Sequence, residues 1–545
     1  MAIVKYPEVS RTWATLEGKP YITVSAKGVS NGLSAEYNDG ADFGPDTTLG
    51  ATSPSQIGAP YSPTGGQQEA INYAQTNGIG KISYKGEKIV VGNSTIYLNP
   101  DGTFTNPLEL EGNGITIEPT TSNPLFAVSY NPNNDAGQPL YPLRIHGFVF
   151  NANGAPDPNC LYFNQYGLTI TASMSEIPIE IYDNIFTGTF GTPIFTENPP
   201  YPMFIHDNIF VVQSSGAALG INGGYESLYI YSNSFIADAG SGGSNAIILC
   251  GSATMPPTYT LITGNSFTNT SAAPTTGLAG VIAFACYGTS GWNGAIIDKN
   301  YFNLTAGWIN IISTNSGTDV YNIVISNNFF QTGLVTSIPN YPLIINNTIL
   351  HRYNFYGNTI FINNKIHQFS GDEYGFINNS LGNVVVVKGN YFENDTTTVG
   401  GAAIYFGNVT ATSKQTWIIE DNFVDTATSG VSSIDLAGNP LEYFMSIKNN
   451  TQNYVGSFTY VLFSPTTPAV PASATAQQNT NPFPVNVYLY GGTVTEIQIT
   501  NNGTNYTVFS NATGLALSGQ VYKLNPSDSI TLTYTTAPTW EWLSG

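Results

Sequence analysis

One pattern recurs through the middle of the chain: two apolar residues, one or two polar residues, Asn, any residue, then Phe or Ile. It reads Ile181-Tyr-Asp-Asn184-Ile-Phe186, Ile205-His-Asp-Asn208-Ile-Phe210 and Ile230-Tyr-Ser-Asn233-Ser-Phe235, and continues with Asn265, Asn300, Asn328, Asn347, Asn364, Asn390 and Asn422 at the fixed place. The intervals between these Asn residues run from 17 to 35 residues. Periods of that size mark a solenoid, in which each repeat buries its core only against its neighbours. Short β-branched runs alternate with polar residues, and no repeat holds ten helix-forming residues, so each unit is built of strands. An Asn at a fixed place suits a tight turn because Asn tolerates the left-handed conformation. Stacked coils would set these amides roughly 4.8 Å apart, close enough to bond up and down as a ladder. Phe or Ile two positions later returns to the interior on the strand period of two. The fold predicted is all-β, a parallel β-helix.

Composition agrees. Charged residues make up 9% of the 545 residues and aromatic residues 13%, with 34 Tyr and 29 Phe. Helical surfaces need the Glu, Lys and Arg that are scarce here, while 41% hydrophobic content is ample for a core and argues against disorder. The net charge of −20, from 35 acidic and 15 basic residues, excludes the clustered cations that nucleic acid or an anionic membrane demands. No apolar run reaches the roughly 18 residues of a membrane-spanning helix, and the opening Met-Ala-Ile-Val-Lys-Tyr-Pro-Glu has no long apolar signal segment. Like charges stacked in register would repel, so a solenoid favours Asn, Thr and Tyr columns. A surface with so little to titrate predicts stability nearly flat between about pH 3 and 7.

The flanks differ from the repeat. Gln67-Gln-Glu-Ala-Ile-Asn-Tyr-Ala74, after Gly65-Gly66 and before Asn77-Gly78, reads as a short helix that would cover the open first coil. Residues 464–482 are rich in Pro, Thr and Ala and read as a linker. After it, Val485-Asn-Val487-Tyr-Leu489, Ile497-Gln-Ile499 and Ile530-Thr-Leu532-Thr-Tyr534 alternate cleanly, predicting a small antiparallel β-sandwich. The expected organisation is an N-terminal attachment segment at 1–35, a β-helix opening and cap at 36–135, the parallel β-helix at 136–463, the linker at 464–482 and the C-terminal domain at 483–545.

The run Glu36-Tyr-Asn-Asp-Gly40-Ala-Asp-Phe-Gly-Pro-Asp46-Thr47, the Gln-Glu-Ala-Ile helix, and Ile82-Ser-Tyr-Lys-Gly86 with Lys88-Ile-Val resemble the opening segment of the pectate-lyase superfamily. That segment is common in phage tailspikes and in tail fibres of viruses of hyperthermophilic archaea. This chain departs from it by about twenty extra residues, Thr48 to Gly66. The C-terminal run Val487-Tyr-Leu-Tyr-Gly-Gly-Thr-Val-Thr-Glu-Ile497 and the closing Ala537-Pro-Thr-Trp540-Glu-Trp542 are similar to a terminal module of archaeal viral fibre proteins. The resemblance implies a right-handed parallel β-helix, a homotrimer, a place in the virion tail beside other tail proteins, and a host-surface glycan or glycoprotein as partner. Activity does not transfer with it, because the superfamily holds lyases, hydrolases and inert adhesins.

Two chemistries compete for the outer faces. Aligning the repeats puts Asp183 and Asp207 in one column, His146, Tyr182 and His206 in the next, and Asp298, Glu420 and Asp421 in the same two columns further on. Carboxylates in adjacent coils would stand roughly 4.8 Å apart, near the ~5 Å of a retaining glycosidase. Asp183, Asp207, Glu420 and Asp421 are therefore the catalytic candidates of a glycoside hydrolase, although Asp at a turn serves as well as Asn. Loop acids such as Glu393 and Asp425 form a second set. Scarcity of Arg and Lys in the repeat counts against a lyase base. Tyr229, Tyr231, Trp292, Tyr301 and Trp417 are the glycan-binding candidates, since rings and amides on a long face suit neutral sugars. No cofactor or metal is expected, and no Asp-x-Asp-x-Asp-Gly calcium run occurs. The leading expectation is a fibre that attaches to a glycan, with the glycosidase second.

Overall fold

The computed structural model describes strands, turns and one helix within residues 21–544; residues 1–20, 28–40, 129–140, 165–177, 270–279, 453–466 and shorter stretches between strands lie outside the described residues. The chain divides into two compact units, Met1–Leu350 and His351–Gly545.

In the first unit the chain coils through three parallel sheets, one strand of each per turn. Among the described residues, sheet one runs through eleven strands from Ile22–Ser25 and Lys81–Lys85 to Leu343–Ile345. Sheet two has ten, from Lys88–Val91 to Thr348–Ile349, and sheet three nine, from Ile96–Tyr97 to Leu334–Thr336. This is a parallel β-helix. Register is strict where the repeat is clearest: Ile181 pairs with Ile205, Ile205 with Ile230 and Ile230 with Ile262. Each of these Ile side chains is wholly buried. Across the turn, Phe150, Phe186, Phe210, Phe235, Phe267, Phe302 and Phe330 form one interior stack, its consecutive centroids 4.7–5.1 Å apart. That interval is the strand spacing itself, so the ring column and the hydrogen-bond ladders reinforce one register.

The repeat Asn does a different job from the one its turn propensity suggested. The left-handed residue is the one before it: φ is +53° at Asp183, +54° at Asp207, +56° at Ser232, +54° at Lys299 and +57° at Asn346. The Asn itself is at most 2% exposed in the seven coils from Asn184 to Asn347. The Oδ1 of Asn208 accepts from the backbone N–H and the Nδ2 of Asn184 at 3.0 and 3.1 Å, while its own Nδ2 donates to the Ile181 carbonyl at 2.8 Å. The same pattern links Asn233, Asn265, Asn300, Asn328 and Asn347. The ladder satisfies backbone groups that the sharp turn leaves without strand partners.

Helix α1 spans Gln67–Thr76 and packs Ala70, Ile71 and Ala74, all wholly buried, against the first coil. Its start is fixed by a close approach: a Cβ on Gly66 (φ +80°) would lie 2.7 Å from the Gly44 backbone. Gly66→Ala is therefore expected to lower the stability of this unit by about 2 kcal/mol, read as a shift in denaturant midpoint, through steric conflict and positive φ together. Ile22–Ser25, expected within an attachment segment, is instead a strand paired with Lys81–Lys85.

The second unit repeats the three-sheet arrangement with four strands in each sheet among the described residues. Its Asn ladder joins Asn364, Asn390 and Asn422, and adds Asn450, whose coil carries Gln452 where the repeat has Phe or Ile. The same unit holds the C-terminal antiparallel sheet of five strands. Its long strand Val485–Asn501 pairs on one side with Thr504–Leu524 and on the other with Ser529–Thr536 and Thr539–Ser544. Gly491 and Gly492, both at positive φ, and four register shifts let one strand serve both halves, whose inner faces share a core of Val487, Ile497, Leu532, Trp540 and Trp542. Residues 467–481, the described part of the stretch read as a linker, belong to this domain: Ala476–Gln478 pairs with Ser529–Thr531, and the carbonyls of Pro468 and Pro471 accept from Trp540 Nε1 and the Tyr534 hydroxyl.

Candidate functional site

The three residues that close each sheet-one strand read outward–inward–outward in five consecutive coils, with Leu in the middle of the first and Ile in the other four: Glu109-Leu-Glu111, Arg144-Ile-His146, Glu180-Ile-Tyr182, Phe204-Ile-His206 and Tyr229-Ile-Tyr231. The strand period therefore raises two parallel columns on one outer face. In a chain with 9% charged residues, this face gathers an ion-pair network and a ring stack together.

The network begins at Lys81, whose Nζ lies 2.9 Å from Glu109 and 2.8 Å from Glu111. His146 Nε2 is 3.3 Å from Glu109. The bond from His146, supported by Lys81 against the opposing effect of burial, holds Glu109 at about 2, below its ordinary 4.5. One coil on, Arg144 Nε donates to Glu180 Oε2 at 2.7 Å, and the other oxygen of Glu180 meets His206 Nε2 at 3.1 Å. His206 Nδ1 lies 2.7 Å from Asp207. Burial works to raise Glu180, but His206 and Arg144 outweigh it and hold the carboxyl low. Burial likewise works to lower His206, and its two carboxylate partners outweigh it, so the imidazole is raised above 6.5. Glu109, Glu111 and His146 place ligand-type atoms within 4.8 Å of one another, yet the Lys81 ammonium already bonds both carboxylates.

The second column is aromatic. Tyr182 stacks between His146 and His206, with centroids 4.6 and 5.1 Å away and planes within 6°. Tyr231 stacks on His206 at 4.5 Å, and beside it Phe204 stacks on Tyr229 at 4.8 Å. Phe204 and His206 are only 5% and 9% exposed despite their outward phase, because Tyr182 and Tyr231 cover both faces of His206, while Phe204 lies between its register neighbours Glu180 and Tyr229. What the solvent meets is the edges of Tyr182, Tyr229 and Tyr231, all half-buried, with exposed Asp183 and Asp207 beside them. Burial pushes the Tyr182 hydroxyl up to about 12, so it stays a neutral donor.

The other sequence candidates fall elsewhere. Tyr301 is 42% exposed on sheet two, stacked on Phe329 and bonded to Gln331. The side chain of Trp292 lies outside the described residues. Trp417 is wholly buried and offers no face to a sugar: its strand pairs it with Val385, itself wholly buried, on the inward phase. Glu420 and Asp421, in the second unit, are bound into ion pairs. Glu420 accepts from Ser446 at 2.8 Å and meets Lys448 and Lys388 at 3.1 and 3.3 Å, while Asp421 sits at φ +57° and meets Lys388 at 3.3 Å. Hydrogen bonds from Ser446 and Lys448 hold the Glu420 carboxyl below its usual range. Glu393 and Asp425, read as loop acids, are strand neighbours in register on sheet two, each already partnered, by His367 at 2.7 Å and by the Tyr391 hydroxyl at 2.7 Å.

The sequence reading placed His146, Tyr182 and His206 in one column but missed Glu109, Arg144 and Glu180 two residues earlier. The signal was present as the polar–Ile–polar triplet; it was overlooked because alignment was anchored on the turn and not on the strand before it.

No family model matches the sequence, and no curated protein matches it. Among solved structures, the tailspike of Pseudomonas phage phi297 is 11% identical, with 88% of this chain and 92% of that one covered at a TM-score of 0.33, a value at which the likeness carries no weight for function. No helix among the described residues is long and apolar enough to cross a membrane.

Proposed function

We propose that this chain is a virion tail fibre or tailspike subunit, assembled as a homotrimer with other tail proteins, that recognises a host-surface glycan through the outer face of sheet one. The observation that carries this reading is the ring column Tyr182–His206–Tyr231, its two tyrosines half-buried around a buried imidazole, flanked by Tyr229, Asp183 and Asp207. Ring edges and hydroxyls beside carboxylate acceptors suit the alternating C–H and O–H groups of a sugar. The surrounding cations are neutralised by carboxylates, so the face selects by shape and hydrogen bonding and not by charge.

The test is a glycan array probed with the full chain, followed by affinity measurements on a hit. Tyr229→Ala combined with Tyr231→Ala should weaken binding tenfold or more, about 1.4 kcal/mol or greater, with far-UV circular dichroism unchanged although loss of the two stacks lowers the melting temperature; undiminished binding would sink the assignment. One observation favours a glycoside hydrolase as the second reading: Asp183 and Asp207 occupy the same turn position in adjacent coils, both exposed. Scoring the array for reducing ends decides it, since turnover that vanishes in Asp207→Asn would replace the adhesin reading.

A further inference from the structure

The C-terminal sheet leaves one long strand uncovered. Thr504–Leu524, 21 residues, pairs with Val485–Asn501 along one edge, and its other edge has no strand partner among the described residues. Exposed edges of this kind template further strands, and natural sheets blunt them with Lys, Pro or inward charges. This strand has one, the exposed Lys523 next to its C-terminal end; before it, from Ile497 to Tyr522, the sequence contains no Asp, Glu, Lys, Arg or Pro. The strand also exposes large apolar side chains, with Tyr506 55%, Val508 43%, Leu515 46% and Val521 48% exposed. Six of the fifteen exposed large hydrophobic residues among the described residues lie on this one sheet, Tyr490 and Leu543 completing the set. Surface of that composition is the signature of an interface.

We propose that the hairpin strand Thr504–Leu524 is where copies of this chain associate, and that the occupant of its open edge is a second copy. Charge decides between a copy and a foreign partner. A chain of net charge −20 repels its own copies over most of its surface, so copies can meet only where no like charges face one another. The 497–522 stretch meets that condition over its whole length, and it offers no charge by which an unrelated partner would be selected. The 21 residues of the strand also match the ~20–30 residues that a stable interface takes from each side. The proposal rests on the reading above for stoichiometry alone; it stands or falls separately from glycan recognition.

Sedimentation equilibrium of the full chain tests it. The wild-type mass should be a multiple of 58.3 kDa, and Val508→Lys combined with Leu515→Lys should reduce it to the single-chain mass. Both side chains are exposed in the single chain, so far-UV circular dichroism should be unchanged, while loss of association lowers the melting temperature and removes its dependence on protein concentration. Hydrogen exchange supplies a second readout: the 504–522 amides should be protected in the wild type and exchange at least tenfold faster in the double variant. A wild-type chain that sediments as a monomer at tens of micromolar would overturn the proposal, whether or not it binds glycan. So would a double variant that keeps the wild-type mass and protection. A multimer that dissociates on substitution but binds no glycan would support this surface and refute only the glycan reading.

Discussion

Asn265→Leu should cost the first unit about 3–5 kcal/mol, one of the largest single-residue losses in the molecule. The side chains are similar in size, so the loss is one of hydrogen bonds. Asn265 Oδ1 accepts from the backbone N–H and the Nδ2 of Asn233, at 2.9 and 3.0 Å. Its Nδ2 donates to the carbonyls of Ile230 and Thr263 and to Asn300 Oδ1, at 2.9, 3.2 and 3.0 Å. At 1% exposure no water replaces these partners, and each orphaned buried group costs roughly 1–3 kcal/mol. Asn265→Asp keeps the shape and the accepting oxygen but turns the donor into a second acceptor facing three acceptors. Its folded-state pKa is therefore raised above the unfolded value, so the deficit is full at neutral pH and shrinks as pH falls. The left-handed position of another coil, beside the ladder residue Asn347, is the control: Asn346→Gly, at φ +57°, should shift stability by only a few tenths of a kcal/mol. Chemical denaturation of the three variants measures all of this; equal losses at ladder and turn positions would refute the ladder's role.

The second large effect is on acid stability, and it revises the flat profile that overall composition suggested. Titrating groups are few, but they are concentrated and perturbed. Glu109 lies at about 2 against 4.5, and Glu111 and Glu180 are lowered as well. A depressed carboxyl contributes stability that is present above its unfolded value and lost as pH falls through its folded one, so this arm declines from about pH 4.5 towards 2. His206 is raised above 6.5, so its contribution is present below that value and lost as pH rises through the folded one. Stability should peak between about 4.5 and 6.5, the two unfolded values. Glu109→Gln should remove about 2–3 kcal/mol of the acid arm, seen as a shallower fall between pH 4.5 and 2; an unchanged slope would contradict the network.

The repeat made the architecture legible because buried Ile, Asn and Phe recur with fixed offsets, and burial is what a solenoid repeats. The outer face was only half legible. Its columns vary from coil to coil, so Tyr182 and His206 could be aligned, while the Arg144–Glu180 pair depends on a lateral contact between coils 36 residues apart. Trp417 misled because coil register, and not ring chemistry, decides which phase faces inward. The left-handed position was displaced by one residue because Asn satisfies both roles, a turn conformer and a buried donor, and sequence alone does not separate them. Glu393 and Asp425 looked like loop acids because each follows directly on the repeat, and the sheet-two strands Tyr391–Asn394 and Phe423–Thr426 run past Phe392 and Val424 to include them.

The most direct measurement is a crystal structure of the full chain soaked with an oligosaccharide that binds it in solution. Sugar density lying against Tyr182, Tyr229 and Tyr231, within hydrogen-bond reach of Asp183 or Asp207, is the predicted result. Density seated on another face, with the sheet-one columns bare, would contradict the assignment of this site.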